Sequence, residues 1–290
     1  MAQAKVGIIG GTGFYMIEGM SEIEEVEITT PFGKPSDNIR LGTFNGVRVA
    51  FLPRHARGHK INPSELPSRA NIFALKSLGV EFIISVCAVG SLKEKIMPGD
   101  IVIPDQVIDR TSGRPSTFFQ NGIVCHIPFA YPFCQQLNHI LYDCVRQVGV
   151  RVHDGGTCIV MEGPQFSTRA ESELYRSWGA DTIVMTLLPE AKLAREAEIC
   201  YANLSIVTDY DCWHETHESV SVELIIDNLN KMVDSSKEIL KLAINKLPQM
   251  RGCSCTSALN NAIATDLRQI PHNIKKDLQP IIGKYLQQEG

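Results

Sequence analysis

Hydrophobic and polar positions along the chain alternate with two different periods. Short apolar, β-branched runs predict seven strands, at 6–9, 47–52, 82–88, 100–104, 156–161, 181–186 and 204–209. Between several of them, apolar residues recur at helical spacing and predict helices over 68–79, 133–149 and 190–200. Near-continuous apolar strands alternating with helices are typical of a mostly parallel or mixed sheet covered on both faces, so the pattern predicts an α/β fold.

Two further segments complete the predicted architecture. The segment 29–52 has turn signals at Pro-Phe-Gly and Asn-Gly, which predict an antiparallel meander. The segment 222–247 carries a long amphipathic pattern and predicts a helix that packs on the sheet. No linker, repeat or low-complexity tract divides the sequence, so we expect one domain.

The composition narrows the classes of function. Hydrophobic residues make up 44% and charged residues 21% of the chain, as in ordinary soluble globular proteins. The formal net charge of −4 gives no basic surface for nucleic acid or an anionic membrane. No apolar run approaches the roughly 20 residues that span a bilayer, and no signal-peptide pattern precedes the first strand. We therefore expect a cytoplasmic protein with neither a nucleic-acid nor a membrane partner.

The cysteines fall into two groups. Seven of the nine lie in apolar or mixed segments and are expected to be core thiols in a reducing compartment. Cys253 and Cys255 instead lie in a polar stretch after Pro248. Their spacing is too short for a zinc-ribbon knuckle, and no second ligand pair follows them. The sequence favours two free surface thiols, with a redox-labile vicinal pair as the alternative.

Polar residues follow several of the predicted strands directly. Four strand ends are polar in this way: the first strand ends in Gly-Gly-Thr-Gly, which includes Thr12, the strand 47–52 runs into Arg54 and His55, the strand 181–186 ends at Thr186, and the strand 204–209 runs into Asp209 and Asp211. Ligands of open α/β sheets bind beyond the carboxyl ends of strands, so these residues predict one site. The glycine loop lacks the third glycine of a dinucleotide-binding turn, but its backbone N–H groups can still hold an anion.

The loop after the strand 47–52 is rich in basic side chains. His55 and His59 are four residues apart, as in a helical metal site. Pro53 and Gly58 disfavour that helix, and no carboxylate is near in sequence as a third ligand. Because arginine offers a planar fork of donors to phosphate, we interpret Arg54 as part of a clamp for a dianion, and no metal site is predicted.

Two carboxylates, Asp209 and Asp211, follow the last predicted strand. Strand alternation predicts that both side chains lie on one face. They can be an acid–base pair, a metal pair, or a helix cap with a partner for a basic residue. The sequence alone does not separate these alternatives.

A family resemblance does separate them. The motifs GGTG, RHxRGH, AVGSL, MEGPxFSTRAE, MTLLPEAxLA and TDYDCW, in this order, closely resemble the nucleoside phosphorylase family of the trimeric purine type, from about Val6 to Leu247. The resemblance implies a single α/β domain over 1–290, with a distorted mixed sheet flanked by helices and a C-terminal helical extension over about 248–290. It also implies a homotrimer or a dimer of trimers. The Cys-x-Cys motif resembles thermophilic archaeal members.

The resemblance further implies that inorganic phosphate attacks C1′ of a purine nucleoside, with phosphate as co-substrate and no cofactor. S-methyl-5′-thioadenosine is the expected nucleoside, and broader action on adenosine or 6-oxopurine nucleosides is the alternative. A nucleosidase that uses water and a non-catalytic binding protein are rivals that the Arg54–His55 loop and the two aspartates disfavour.

The motifs also imply roles for individual residues. The expected phosphate contacts are Thr12, Arg54, His55, Cys87, Ala88 and Thr186. Cys87 stands where relatives usually have Thr or Ser. Asp209 and Asp211 are expected to contact the purine and to act in catalysis. The other expected nucleoside contacts are Phe166, Ser167, Met185, Val222, Ile225 and Ile226, with His126 reaching into the neighbouring subunit's 5′ pocket.

Overall fold

The computed structural model of the protein describes residues 3–12, 14, 19–215 and 220–287. The last glycine of the predicted anion loop, Gly13, lies outside the described residues. The described chain has an α/β fold, as the sequence predicts. Among its helices, none is both long and apolar enough to cross a membrane.

Eleven strands form one mixed sheet. They are β1 (Val6–Gly10), β2 (Ser21–Val26), β3 (Ile39–Phe44), β4 (Val47–Pro53), β5 (Phe82–Ser91), β6 (Ile101–Ile103), β7 (Gln106–Arg110), β8 (Val152–Asp154), β9 (Thr157–Met161), β10 (Thr182–Val184) and β11 (Cys200–Asp209). The main path runs β2-β3-β4-β1-β5-β10-β9-β7, and a branch runs from β5 through β11 and β6 to β8.

The branch makes β5 the central strand. Its first half pairs in parallel with β1, and β11 pairs in parallel with it from Phe82 to Gly90. Its end pairs antiparallel with β10 at Gly90 and Ser91. The sheet is therefore distorted at the end of β5, and the carboxyl ends of β1, β4, β5 and β11 surround that point.

Seven α-helices accompany the sheet. They are α1 (Ser68–Ser77), α2 (Gln135–Val148), α3 (Arg169–Ser177), α4 (Leu187–Glu196), α5 (Val222–Lys246), α6 (His272–Asp277) and α7 (Gln279–Leu286), numbered among the described residues. Apolar residues of α1, α4 and α7 belong to one core cluster. Those of α2 and α5 belong to a second. Every residue of β1 and β11 is buried, because helices cover both faces of the sheet.

Most predicted elements are present, with two corrections. The Asn45–Gly46 turn joins β3 and β4 as an antiparallel hairpin, and both residues have positive φ (50° and 79°). Residues 29–38, however, form no strand; the third member of the meander is β2, an exposed segment rich in glutamate. The helix predicted over 190–200 ends earlier, because the chain turns at Glu198 (φ 54°) and Cys200 begins β11.

The sequence analysis did not predict β2, β7, β8 or α3, whereas α6 and α7 fall within the helical extension that the family resemblance implies over about 248–290. A signal was available for α3, since Thr168 and Glu171 form a capping box at its start. The short strands β7 and β8 offer only five and three residues of pattern. Such lengths are too short for a period to be recognised.

The C-terminal segment 248–287 packs against the body of the domain, where α7 contacts α1. It contains two 3-10 turns, Ser254–Ser257 and Leu267–Gln269, followed by α6 and α7. Ile281 and Ile282 of α7 are fully or almost fully buried in the core. Cys255 is also buried, at 2% exposure, so the prediction of two surface thiols is wrong for this residue. A polar sequence does not show that a turn lies beneath other elements.

Candidate active site

A cavity of about 560 Å³ opens where the carboxyl ends of β1, β4, β5 and β11 meet. This volume is typical of a site for a small molecule. The structure brings the following predicted residues to its wall: Thr12, Arg54, His55, Cys87, Ala88, Phe166, Met185, Thr186, Asp209, Asp211, Val222, Ile225 and Ile226. Two predicted residues, Ser167 and His126, do not line it.

Arg54 lies at the closed end of the cavity, directly after β4. The pairing of β1 with β4 places it there, and its backbone N–H donates to the Gly10 carbonyl at 2.8 Å. Its side chain is only 1% exposed. The guanidinium faces Glu190 of α4, with Nε donating to Oε1 at 2.6 Å and Nη2 to Oε2 at 3.1 Å.

Most of the donors of Arg54 are therefore engaged within the protein. Nη2 also donates to Ser85 Oγ at 2.6 Å, and Nη1 donates to the Val86 carbonyl at 3.2 Å. A guanidinium has five N–H donors, so one on Nη1 remains. Nη1 lies beside Gly11, where an added Cβ would be 2.9 Å from it. Arg54 can thus offer an anion one hydrogen bond, while its fork geometry is already satisfied by Glu190.

His55 is held as a neutral ring. Its Nδ1 lies 2.8 Å from the Ile61 carbonyl, which can only accept, so Nδ1 carries the hydrogen and Nε2 is left as an acceptor. Burial and the adjacent Arg54 charge lower the pKa of His55 to about 4. The ring also stacks on His59, with 4.3 Å between the ring centroids. His55 therefore suits the hydroxyl of a hydrogen phosphate better than an additional negative charge.

The loop after β4 is consequently less cationic towards the cavity than its sequence indicates. Arg57 points to the surface, where it pairs with Asp37 at 3.0 Å and Glu25 at 2.9 Å. His59 also lines the cavity, and burial lowers its pKa as well. Since both histidines are therefore neutral near pH 7, Arg54 and Lys60 are the charged basic residues of this loop that line the cavity.

Cys87 and Thr186 form the opposite wall of this end. The Cys87 thiol lies 3.5 Å from Thr186 Oγ1. It accepts a hydrogen bond from Asn203 Nδ2 at 3.2 Å, and the same amide donates to the Ser85 carbonyl at 3.0 Å. The thiol is thus fixed by an amide donor beneath it, in a position where it can meet an anion only as a weak donor.

A layer of buried polar residues supports this end, and the sequence analysis gave no role to any of them. Besides Arg54, the Glu190 carboxylate accepts from the Tyr201 hydroxyl at 2.9 Å. Ser85 and Asn203, within strands β5 and β11, complete the layer. A usable signal existed, because a polar residue in an otherwise apolar strand needs a buried partner.

Asp209 and Asp211 form the other end of the cavity. Asp209 closes β11; its Oδ2 accepts from Thr208 Oγ1 at 2.7 Å, and its Oδ1 accepts from the Asp211 N–H at 2.8 Å. Asp211 lies beyond the strand, in a turn with φ 52°. Strand alternation, the reason given for their shared face, is therefore wrong, although both residues line the cavity.

Burial sets the proton affinity of both carboxyls. It raises the pKa of Asp209 to about 6, and it raises the pKa of Asp211 as well. The backbone of β5 passes directly beside Asp209, since a Cβ on Gly90 would lie 2.9 Å from Oδ1. The site thus contains a carboxyl that can gain or lose a proton near neutral pH.

The middle of the cavity is apolar and includes Met185 and Phe166. Arg114 fixes this part: its Nη1 donates to the Met185 carbonyl at 2.7 Å, and its Nε donates to Glu162 at 3.1 Å. Gly163 has φ 69°, and a Cβ there would collide with the Met185 thioether. The Met185 side chain can therefore lie against this loop only because residue 163 is glycine.

The mouth of the cavity is formed by the first turns of α5. Val222 is 63% exposed and Ile226 is 41% exposed, while Ile225 packs partly against the core. Val222 and Ile226 are therefore not part of the hydrophobic core of the described chain. Exposed aliphatic side chains at the rim of a cavity are suited to an apolar group of a ligand or to a second chain.

Two predicted contacts lie elsewhere in this chain. Ser167 is buried beneath the end of the cavity that Asp209 and Asp211 form, and its carbonyl accepts from the Cys212 thiol at 3.3 Å. His126 is exposed, and its backbone N–H donates to the Ala262 carbonyl at 2.8 Å. Its expected reach into a neighbouring subunit stays a prediction.

Comparison with known proteins is consistent with this geometry. The family model of the phosphorylase superfamily matches residues 5–245. The S-methyl-5′-thioadenosine phosphorylase of Geobacter sulfurreducens is 53% identical over 282 residues, which cover 97% of this chain and 99% of the relative. The protein of the same name from Gloeobacter violaceus is 52% identical, and the match covers 98% of this chain and 96% of the relative.

Solved structures agree in fold over nearly the whole chain. A methylthioadenosine phosphorylase from an Antarctic soil metagenomic library has a TM-score of 0.90 at 45% identity, covering 97% of this chain and 99% of that one. The methylthioadenosine phosphorylase of Schistosoma mansoni in complex with adenine has a TM-score of 0.81 at 37% identity, with coverage of 97% and 98%.

We predict that the Arg54–Glu190 pair is a requirement for stability. Both side chains are 1% exposed, so Glu190→Ala leaves an uncompensated buried charge and should lower the free energy of unfolding by about 3–5 kcal/mol. Denaturant unfolding measures this. The control is Glu173→Ala, which removes a pair with Arg169 whose side chains are 60% and 57% exposed. That control should change stability by no more than about 0.5 kcal/mol. Equal stability of the two variants would contradict the prediction.

Proposed function

The chain belongs to the phosphorylase superfamily, and from this we propose that it catalyses the phosphorolysis of S-methyl-5′-thioadenosine by inorganic phosphate. The products are adenine and 5-methylthioribose 1-phosphate. The observation that carries the proposal is the division of one cavity into an anion end at Arg54 and a carboxyl of raised pKa at Asp209. The names of the relatives support the choice of nucleoside.

The anion end positions the nucleophile. The hydroxyls of Thr12 and Thr186, the remaining N–H of Arg54 and the neutral ring of His55 hold phosphate with one oxygen directed to C1′. Fixing both reactants in one cavity replaces an encounter in solution and contributes much of the rate enhancement. No cofactor takes part in this reaction; phosphate is the co-substrate.

The carboxyl end stabilises the leaving base. As the bond from C1′ to N9 breaks and the bond from C1′ to phosphate forms, negative charge gathers on the purine. A protonated Asp209 carboxyl beside N7 donates its proton to the base, so the leaving group departs neutral. The raised pKa of Asp209 makes this proton available near neutral pH.

The same carboxyls favour adenine over a 6-oxopurine. A carboxylate oxygen accepts from the 6-amino group of adenine, but it faces another acceptor in hypoxanthine. Leaving such groups unpaired in a buried site costs about 1–3 kcal/mol. The alternative of a broad purine nucleoside phosphorylase is therefore not favoured.

We also propose a homotrimer, in which a neighbouring subunit covers the mouth of the cavity and contributes His126. The exposed apolar side chains of Val222 and Ile226 support this, because their contact with a second chain would remove them from water. A cytoplasmic location stays a prediction from the sequence.

One experiment tests the reaction. The protein is incubated with S-methyl-5′-thioadenosine, adenosine and inosine, each with and without phosphate, and base and sugar products are identified by mass spectrometry. We expect adenine and 5-methylthioribose 1-phosphate only when phosphate is present, and little hypoxanthine from inosine. Free methylthioribose formed without phosphate would show a nucleosidase, and equal turnover of inosine would show a broad phosphorylase.

The role of Asp209 predicts a pH dependence. Its folded pKa of about 6 lies above the ordinary value of 3.8, so the proton-bearing form is present below about pH 6 and is lost above it. The ratio of kcat/KM between the wild type and Asp209→Asn should therefore fall as pH rises through about 6. Taking the ratio cancels the ionisation of phosphate, which both proteins share.

Thr208 provides a control for that assignment. The hydrogen bond that its hydroxyl donates to Asp209 lowers the pKa of this carboxyl. In Thr208→Val, the fall of kcat/KM relative to Asp209→Asn should therefore occur at higher pH. A fall that keeps its position in Thr208→Val, or a ratio of wild type to Asp209→Asn that does not change with pH, would assign the titration to another group.

The aliphatic side chains at the mouth of the cavity predict which 5′ substituent of the nucleoside is preferred. Burying a methylthio group against aliphatic side chains is worth about 1–3 kcal/mol relative to a hydroxyl. Ile226→Ser should therefore reduce the preference for S-methyl-5′-thioadenosine over adenosine, measured as a ratio of kcat/KM, by up to about tenfold. Ile23→Ser, which changes an isoleucine of β2 that is 51% exposed, should leave the ratio unchanged. Equal effects of both substitutions would reject the assignment.

A further inference from the structure

Four cysteines that the proposed reaction does not use meet at the opposite end of β11 from the cavity. Cys134 precedes α2, Cys200 is the first residue of β11, and Cys253 and Cys255 belong to the turn that follows α5. Their sulfur atoms all lie within 4.8 Å of one another. The Cys-x-Cys pair thus has its second ligand pair after all, at positions that precede it in the chain.

The dimensions of this cluster fit a tetrahedral metal site. Four thiolates at a zinc–sulfur distance of about 2.3 Å are separated from one another by about 3.8 Å. The Cys200 and Cys253 sulfurs are 3.2 Å apart, and all four residues are free thiols. Cys134, Cys200 and Cys255 are buried and Cys253 is partly buried, so the sulfurs are largely shielded from water.

Metal binding would also settle the ionisation of the cluster. Thiolates are the form that binds metal ions. A divalent cation would displace the thiol protons and compensate the negative charge of the four sulfurs.

From this arrangement we propose that Cys134, Cys200, Cys253 and Cys255 bind one Zn²⁺ ion in a closed structural site. Four sulfur ligands leave no open position for water or substrate, so the ion takes no part in phosphorolysis. Sulfur ligands in a tetrahedron select zinc over harder cations such as Mg²⁺ or Ca²⁺.

The proposed ion would join the C-terminal segment to the body of the domain. Cys253 and Cys255 lie beyond the residues 5–245 matched by the family model, whereas Cys134 and Cys200 lie within them. Cys134 is already held beside Cys200, because the Cys134 N–H donates to the carbonyl of the next residue in β11, Tyr201, at 2.9 Å. Zinc would thus attach the turn that leads to α6 and α7 onto a rigid pair of ligands.

The test measures the metal directly. Protein isolated under reducing conditions without a chelator is analysed by elemental mass spectrometry, and we expect one zinc per chain. Cys255→Ala should lose the metal and unfold at a lower temperature. The matched control is Cys144→Ala, which removes an equally buried thiol of α2 outside the cluster and should keep one zinc. Phosphorolysis by the control should equal that of the wild type.

A second measurement uses only the wild-type chain and does not depend on the folding of a variant. Titration of the four thiols with a mercurial should release one zinc per chain, and replacement by Co²⁺ should give thiolate-to-metal charge-transfer absorption. Zinc retained by Cys255→Ala, or wild-type protein without zinc, would overturn the proposal. Disulfide-linked peptides among the four cysteines, recovered from protein alkylated at lysis, would overturn it as well.

Discussion

The guanidinium of Arg54 and the carboxylate of Glu190 form an ion pair that solvent does not reach. Two charges removed from water must satisfy one another and their remaining hydrogen-bonding groups, or the fold loses several kcal/mol. Here that requirement draws four parts of the chain together: the end of β4, the Ser85–Val86 segment of β5, the start of α4, and β11 through Tyr201. These elements also place the residues of the anion end of the cavity, so the ion pair and the proposed phosphate site depend on the same geometry.

Burial has opposite consequences at the two ends of the cavity. At the anion end, Arg54 keeps its charge because Glu190 compensates it, and it still presents one donor beside Gly11. At the other end, Asp209 accepts hydrogen bonds from Thr208 and from the Asp211 N–H, but no cation is among its hydrogen-bond partners in the described chain. Desolvation therefore raises its pKa. One low-dielectric cavity can thus bind an anion at one end and keep a proton at the other, as displacement of a purine by phosphate requires.

The sequence predicts those features that are local. Apolar runs define the strands, and the rule that ligands bind beyond their carboxyl ends places Arg54 and Asp209 in one site before any contact is known. What the sequence does not show are contacts between distant positions. Glu190 is 136 residues from Arg54, and nothing in its helical pattern distinguishes it from an exposed glutamate. Asp211 reaches the cavity through a turn with positive φ, which strand periodicity cannot describe.

The cysteines are a second case in which the sequence does not reveal contacts between distant positions. Cys134 and Cys200 lie in apolar segments, where a thiol is usually a small hydrophobic side chain. Cys253 and Cys255 lie in a polar turn, where a thiol is usually exposed. Cys134 and Cys200 are buried as expected, and Cys255 is buried as well, but neither pattern shows that α2, β11 and the C-terminal turn converge at one point and bring four sulfurs together. The same C-terminal segment bonds the backbone of His126 through Ala262. The elements that shape the active site and those that anchor the end of the chain therefore share β11, with Cys200 at its first residue and Asp209 at its last.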